Sequence, residues 1–75
     1  MIEVNALGPL RKYLGDQSKI QIPYSDGLTL EAVKEQVSLP KSEQIIVIIN
    51  DRKPLKDQLV QDGDVIIFMS PISGG

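Results

Sequence analysis

Few side chains in this sequence are of types that perform chemistry. The 75-residue chain has no histidine and no cysteine, so it lacks the commonest general base, the commonest metal ligand and the thiolate nucleophile. The acidic pair in Asp62-Gly63-Asp64 has the residue types of a metal site, but no third ligand is evident nearby and Asp-Gly sequences are typical of turns. We therefore interpret this segment as a turn, and we expect no bound metal and no hydrolytic centre.

The remaining candidate for chemistry is the C-terminal pair Gly74-Gly75. Glycine makes up about 7% of residues in proteins, so a terminal pair arises by chance in roughly one chain in 200. Taken alone, such a pair is more often a frayed terminus than a functional one. Because glycine has no Cβ, a diglycine end can also pass through a narrow channel in backbone conformations that are closed to other residues. The elements that precede the pair must decide between these interpretations.

The composition indicates one small folded domain and excludes several classes of partner. Hydrophobic residues make up 41% of the chain, and 8 Lys and Arg face 10 Asp and Glu, for a net charge of −2. Nucleic-acid binders usually carry a basic surplus. The longest apolar runs have five residues, far fewer than the roughly 20 of a membrane span. With no secretion signal at its start, the chain is expected to be cytoplasmic and to bind neither nucleic acid nor membrane.

Apolar patterning predicts five strands. The first two alternate apolar and polar residues, which is typical of half-buried strands, whereas the third and the last are apolar throughout, as in buried strands. Two further apolar residues, Leu59 and Val60, are predicted to anchor the irregular stretch before the last strand. The predicted strands are Ile2 to Ala6, Lys19 to Ile22, Ile45 to Ile49, a short edge segment beginning at Pro54-Leu55, and Val65 to Met69.

A helical period occurs in two places. Between the first two strands, Pro9 to Leu14 starts with a residue suited to a first helical position and is followed by Gly15, which suits a left-handed cap; this predicts a short helical turn. Thr29 is a candidate N-cap for an amphipathic helix of about ten residues, which ends near Ser38 because Pro40 cannot continue it. The predicted buried stripe of this helix consists of Leu30, Val33 and Val37.

The order of the main elements is strand, strand, helix, strand, short strand, strand. A single helix must cover one face of the resulting sheet, since a sheet needs a second layer. This order predicts an α+β domain with the β-grasp arrangement, in which a mixed sheet wraps one main helix. We place the domain at residues 1–70 and a C-terminal tail at residues 71–75.

The C-terminal segment from Gly63 to Gly75 resembles the signature of the MoaD/ThiS family of ubiquitin-like sulfur carriers. That signature consists of Gly-Asp, a hydrophobic strand and then Pro-Val-x-Gly-Gly as the last residues, and here Ile72 takes the place of the valine. The turn at Asn50, the helix that opens at Thr29 and the leading strand also fit, so the resemblance spans the whole chain.

The resemblance implies a carrier rather than an enzyme. In this family an E1-like adenylyltransferase of the MoeB/ThiF type uses ATP to join the terminal carboxylate to AMP, and sulfur then replaces the adenylate. By resemblance, Gly75 would carry the resulting thiocarboxylate, Gly74 would give clearance, and Pro71 would stiffen the exit from the sheet. The chain itself needs no bound cofactor, base or nucleophile for this role.

Within the family, two features favour the branch of the molybdopterin synthase small subunit, whose sulfur acceptor is the large subunit of that synthase. These are the helical turn from Pro9 to Leu14 and the position of Pro71. Two features depart from that branch, namely the short stretch from Leu39 to Ile45 and the residue Ser70. A third feature, the stretch from Leu59 to Asp64, fits thiamine-type carriers equally well. A thiamine-type, cysteine-type or tRNA-thiolation carrier is therefore the alternative.

Both faces of the last predicted strand are apolar, although one helix can bury only one of them. By resemblance to the ubiquitin-like register, Ile66 and Phe68 face the helix. The other face is then either covered by loops or free to dock the activating enzyme and the sulfur acceptor, because exposed apolar patches often mark partner sites. The expected partner-binding residues are Ile67, Met69, Pro71, Ile72 and, from the neighbouring strand, Val47.

Two other classes of function fit the same sequence. An activated diglycine can form isopeptide bonds with lysines, which would make the chain a ubiquitin-like protein modifier. A β-grasp interaction module with an incidental Gly-Gly is the second alternative. Conjugates that survive denaturation would indicate the first, and failure of every E1-like enzyme to adenylate the chain would indicate the second.

Overall fold

The computed structural model of the protein describes residues 1–39 and 44–71, which form one sheet, a 3₁₀ helix and an α-helix. The 3₁₀ helix (Gly8–Leu14) connects the first two strands, and the α-helix follows the second. In chain order the strands and the α-helix are β1 (Ile2–Ala6), β2 (Lys19–Ile22), α1 (Leu30–Gln36), β3 (Ile46–Ile49) and β4 (Val65–Met69).

The sheet is mixed, with the strand order β2-β1-β4-β3. The two central strands, β1 and β4, pair in parallel, and each has an antiparallel neighbour on its other side. The parallel pair joins the first and last strands of the chain, and α1 lies in the connection between them. This architecture confirms the predicted α+β class and the predicted single main helix.

The core lies between α1 and one face of the sheet, which we call the inner face. Ile66 and Phe68 of β4 are completely buried there, as are Ile2 and Val4 of β1. The predicted helix stripe of Leu30, Val33 and Val37 belongs to the same buried cluster. Burial therefore confirms the predicted alternation of β1 and the predicted inward placement of Ile66 and Phe68 in β4.

The segment between β1 and β2 is a 3₁₀ helix that closes one end of the core. Pro9 lies in its first turn, where a missing N–H leaves no carbonyl unpaired, and Gly15 ends it with a left-handed φ of 67°. Leu10 and Leu14 are buried and Tyr13 packs against the core. The predicted helical turn is confirmed.

The start of α1 agrees with its prediction, but the helix is shorter than ten residues. The Thr29 hydroxyl accepts a hydrogen bond from the Ala32 N–H at 3.1 Å, which caps the first turn. At the other end Ser38 takes a left-handed φ of 59°. The Ser38 and Leu39 N–H groups donate to the Glu35 and Lys34 carbonyls, which is a Schellman motif. The helix therefore ends by a local backbone cap, while Pro40 lies outside the described residues.

The short edge strand predicted from Pro54-Leu55 is absent from the described part of the chain. Asn50 and Asp51 form a tight turn with φ values of 51° and 65°, after which Arg52 pairs only with Ile49. Pro54 has no N–H to donate, and the Leu55 N–H donates instead to the Gln58 side chain at 2.9 Å. No ladder can continue from there.

Of the two anchors predicted in the stretch before β4, one is correct. Val60 is 1% exposed and its N–H donates to the Leu28 carbonyl at 2.9 Å. Leu59 is half-exposed, because it forms an isolated bridge with Thr29 that turns its side chain to the surface. Strand alternation between neighbouring residues accounts for the difference.

Candidate functional site

The sheet face opposite α1, which we call the outer face, is not covered by a second layer in the described residues. Along β4, Val65, Ile67 and Met69 are half-buried, whereas Ile66 and Phe68 between them are fully buried. Successive side chains of a strand point to opposite faces, so the first three belong to the outer face. The predicted outward placement of Ile67 and Met69 is confirmed; their role in partner binding stays a prediction.

The register of β3 against β4 corrects one of the predicted site residues. Val47 lies opposite Phe68 and Ile49 opposite Ile66, and both β3 residues are buried. Directly opposed residues share a face, so Val47 belongs to the core and not to the outer face. The uninterrupted apolar run of β3 has no alternation of apolar and polar residues. Its pairing with β4 therefore decides which of its residues face the core.

The residues that β3 does contribute to the outer face are Ile46 and Ile48. Ile46 lies opposite Met69 and is 41% exposed, and Ile48 lies opposite Ile67 and is half-buried. Sequence reasoning missed both, because every residue from Ile45 to Ile49 is β-branched and apolar. Nothing in such a run shows which alternate residues are buried and which are exposed.

A third contribution comes from the end of β1. Leu7 keeps an extended backbone and donates its N–H to the Phe68 carbonyl at 3.0 Å, which continues the parallel pairing by one step. Its side chain is half-exposed, whereas the preceding Ala6 is buried. The alternation of β1 extends to Leu7 in the sequence, so this residue was accessible to sequence reasoning. We call Leu7, Ile46, Ile48, Ile67 and Met69 the outer patch.

The other half of the outer face is polar. Glu3 and Asn5 alternate with the buried residues of β1, and the Asn5 amide donates to the Glu3 carboxylate at 3.0 Å. Lys19 and Gln21 of β2 lie directly opposite Asn5 and Glu3 and are exposed. The outer face is therefore divided lengthwise into an apolar side on β3 and β4 and a polar side on β1 and β2. Such a division favours one orientation of a docked protein.

The chain leaves the sheet at the Met69 end of this face. Ser70 is half-buried and Pro71, the last described residue, is exposed. Both follow Met69, which lies opposite Ile46, and Leu7 is hydrogen-bonded to the neighbouring Phe68. The predicted site residues Ile72, Gly74 and Gly75 lie outside the described residues. What the structure describes is thus the surface beside the exit, composed mainly of apolar side chains.

The turn before β4 accounts for both carboxylates that resemble a metal pair. Asp64 accepts hydrogen bonds from the Asn50 amide at 2.8 Å and from the Gln61 N–H at 2.7 Å, while Asp62 pairs with the N-terminal amine. Gly63 has a φ of 89°, which suits a turn. The turn interpretation is confirmed. Within residues 1–39 and 44–71, no cluster of three acidic side chains is arranged to hold a metal ion.

The described residues also offer little acid–base chemistry. Desolvation, together with the nearby Asp26 carboxylate that accepts from its hydroxyl at 3.4 Å, raises the pKa of Tyr24 above its ordinary value. Tyr24 therefore stays protonated at neutral pH and is no base. None of the helices in the described part is long and apolar enough to span a membrane. The partly exposed apolar side chains at the end of β4 form a surface of the kind that docks partners.

Comparison with known proteins agrees with this arrangement. The sequence matches the family model described as the ThiS family over residues 4–75. The chain belongs to the ThiS family. The match begins within β1, at Val4, and continues through both helices and the other described strands to Gly74-Gly75. No curated protein matches the chain.

Membership of the ThiS family establishes the general role of the chain. ThiS-family proteins are β-grasp, ubiquitin-like sulfur carriers, and the mixed four-stranded sheet with its helix is consistent with that fold. They are carriers and not enzymes themselves, and they interact with E1-like adenylyltransferases and with sulfur-acceptor enzymes. The predicted β-grasp fold and the predicted sulfur-carrier class are confirmed at this level.

Proposed function

We propose that this ThiS-family protein carries sulfur as a thiocarboxylate on Gly75. The observation that carries the proposal is the family match, which continues through Gly74-Gly75. The outer patch beside the chain exit supports it, because a tail that enters another protein's active site needs an adjoining docking surface. The proposal requires no side-chain base or nucleophile from this chain, because the reacting group is the terminal carboxylate, in keeping with the lack of histidine and cysteine.

The chemistry begins with activation of a poor electrophile. The Gly75 carboxylate attacks the α-phosphorus of ATP in the activating enzyme, which forms an acyl adenylate and releases pyrophosphate. A sulfide then attacks the acyl carbon, the C–O bond to AMP breaks, and AMP leaves with the electron pair. The product is a C-terminal thiocarboxylate, with one oxygen of Gly75 replaced by sulfur and no change in the oxidation state of the carbon. ATP is a substrate of the partner, and this chain binds no cofactor of its own.

Docking of the activating enzyme and the acceptor is assigned to the outer patch and the exit. Ile67 and Met69 form its centre, and Pro71 and Ile72 lead from it toward the diglycine. Aliphatic side chains that are partly exposed on a folded sheet offer apolar area to a partner. The polar side of the outer face limits the orientation in which the partner docks. Gly74 provides clearance for the tail in a narrow channel.

Within the family, we assign the chain to the molybdopterin-type branch, with the large subunit of a molybdopterin synthase as sulfur acceptor. The supporting feature is the 3₁₀ helix (Gly8–Leu14) between β1 and β2, which resembles the insert of molybdopterin synthase small subunits. It directly follows Leu7, which pairing with β4 holds beside the chain exit, where an acceptor must dock. A thiamine-type acceptor is the alternative, supported by the resemblance of Leu59 to Asp64.

The test of the carrier role is a mass measurement. The protein is incubated with an E1-like adenylyltransferase, ATP and sulfide, and the expected result is a mass gain equal to the replacement of one oxygen by sulfur, located on the C-terminal residue by fragmentation. A reaction without ATP is the control. An unchanged mass, or sulfur on an internal residue, contradicts the proposal.

Two further assays separate the remaining alternatives. Thiocarboxylated protein is offered in parallel to a molybdopterin synthase large subunit and to a thiamine-type acceptor, and loss of the extra sulfur mass only with the first supports the branch assignment. Cell extracts are also analysed under denaturing conditions. Conjugates joined through Gly75 to lysines would indicate a protein modifier instead.

A further inference from the structure

A second surface lies at the end of β4 remote from the chain exit. An open groove of about 530 Å³ adjoins the turn that precedes Val65, a volume within the range of pockets that bind ligands or peptide side chains. The side chains that define it are Arg52, Lys53, Leu55, Gln58, Leu59 and Asp64. We call it the Leu55 groove.

The walls of the Leu55 groove are held by specific hydrogen bonds. The Gln58 side chain accepts from the Leu55 N–H at 2.9 Å and donates to the Leu59 carbonyl at 2.8 Å, while the Gln58 carbonyl accepts from the Leu30 N–H at 3.0 Å. On the other wall, Asn50 is tied to Asp64 and Val65. A surface whose loops are already ordered loses less conformational entropy when it binds.

Two leucines are displayed at this site without cover. Leu55 is 75% exposed, the largest value among the exposed large hydrophobic residues of the described part, and Leu59 is 50% exposed. A second, smaller cavity adjoins the other side of Leu55, and its other lining residues are Thr29, Leu30, Glu31, Asp57 and Gln58. Leu55 therefore forms a ridge between the Leu55 groove and the smaller cavity. Apolar side chains of a partner can contact this ridge from either side.

The charge of the groove is opposite to that of the whole chain. Arg52 and Lys53 line it and Lys56 follows Leu55, and in the described ranges none of these three cations forms a salt bridge. Of the residues that line the Leu55 groove one is a carboxylate, Asp64, and its two oxygens accept hydrogen bonds from Asn50 and Gln61. The smaller cavity holds the carboxylates Glu31 and Asp57, so the cationic side of Leu55 is the side of Arg52 and Lys53. A chain of net charge −2 repels acidic partners generally, so unpaired cations beside exposed leucines favour contact at this place.

The position of the groove leaves the tail free. The five residues of β4 separate the Asp64 end from the Met69 end, a distance of about 17 Å at the usual rise of a strand. A short segment bound in the Leu55 groove therefore lies a strand's length from Met69 and from the exit at Pro71, and it leaves that end of the outer patch free.

We propose that the Leu55 groove binds an acidic segment of a partner protein that presents leucine-like side chains to Leu55 and Leu59 and carboxylates to Arg52 and Lys53. Such a contact holds the carrier while its tail is engaged elsewhere. The proposal goes beyond the sulfur-carrier role, and it concerns binding alone.

The experiment is a titration of the isotope-labelled full chain with a synthetic peptide that alternates leucine and glutamate, followed by amide NMR. The control peptide has lysine in place of each glutamate. We expect saturable shifts at Arg52, Lys53, Leu55 and Leu59 with the acidic peptide, weakening as salt is raised, and no saturable shift with the basic peptide. Equal binding of the two peptides, or acidic-peptide shifts confined to the outer patch, overturns the proposal.

Matched variants locate the interaction. Arg52→Glu with Lys53→Glu is expected to weaken binding at least about tenfold, which is roughly 1.4 kcal/mol, whereas Lys12→Glu with Lys19→Glu changes the net charge equally and leaves binding within about twofold. Leu55→Ser weakens binding and Leu7→Ser, on the outer patch, does not. Because all six side chains are exposed, these variants keep the fold, and an amide spectrum of each checks this.

Two results would exclude a partner segment. Equal loss of binding in both charge-reversal pairs indicates attraction by net charge alone. Shifts at Leu55 on simple dilution, without peptide, indicate that a second copy of this chain covers the groove. The titration uses no ATP and no sulfide, so its failure is distinct from failure of the sulfur-carrier proposal.

Discussion

Ile48 and Ile67 lie directly opposite each other on the antiparallel strands β3 and β4, and both belong to the outer face of the sheet. One residue earlier on β3, Val47 lies opposite Phe68 in the core. A shift of one residue in this register exchanges every side chain between the two faces. The pair Ile48–Ile67 therefore fixes which residues form the outer patch, and it places the patch beside the chain exit.

Substitutions on the two faces are expected to separate docking from folding. Ile67→Asp or Met69→Asp should reduce the rate of adenylation by the E1-like partner at least about tenfold, which is roughly 1.4 kcal/mol, with a small loss of thermal stability. Val47→Asp is the matched core control: an unpaired charge in the core should unfold a domain with about 5–15 kcal/mol of stability. Adenylation assays and circular dichroism melts measure both effects. If Ile67→Asp unfolds the chain as Val47→Asp does, the assigned faces are wrong.

The diglycine predictions address the tail itself. Deletion of Gly75 should abolish the sulfur mass gain without changing the melting temperature, because the core described above is complete by Met69. Gly74→Val should reduce the gain strongly, since a β-branched side chain restricts the backbone and obstructs a narrow channel. Ser73→Gly is a control at the next position that adds no bulk. Sulfur transfer to a chain without Gly75 would contradict the carrier proposal.

The turn at Asn50 is predicted to stabilise the start of β4. Asn50 has a φ of 51°, and its side chain accepts from the Val65 N–H at 3.0 Å and donates to Asp64 at 2.8 Å. Asn50→Ala loses both hydrogen bonds and strains the backbone, at a cost of about 2 kcal/mol. Asn50→Gly loses the hydrogen bonds alone and should cost about half as much. Urea unfolding measures both, and equal losses would show that the backbone conformation contributes nothing.

Ser38 offers a stabilising substitution. It occupies the left-handed position of the Schellman motif after α1, where glycine is unstrained. Ser38→Gly is expected to raise stability by about 0.5–1 kcal/mol, since the relief of strain exceeds the added entropy of the unfolded chain. That gain corresponds to a rise in melting temperature of roughly 2–8 °C for a domain of this size. Ser38→Ala keeps the strain and should give no gain; a drop with glycine would contradict the cap assignment.

The elements of this protein were predictable where the local sequence carries a period or a cap. The alternation of β1, the stripe of α1 and the hydroxyl of Thr29 are all short-range features, and each was found where the sequence placed it. The family signature likewise lies in contiguous residues at the end of the chain, so the sulfur-carrier class was accessible from the sequence.

Tertiary structure decided what depends on pairing between distant residues. The register of β3 against β4 determines which of its side chains are buried. A run of β-branched residues can bury either face equally well, and the pairing with β4 decides between the two. The loss of the edge strand at Pro54-Leu55 has a local cause instead: the Gln58 side chain, three residues away, accepts the Leu55 N–H that a ladder needs. The Leu55 groove depends on the same contact together with the turn at Asn50, two features that the chain brings together only when it is folded.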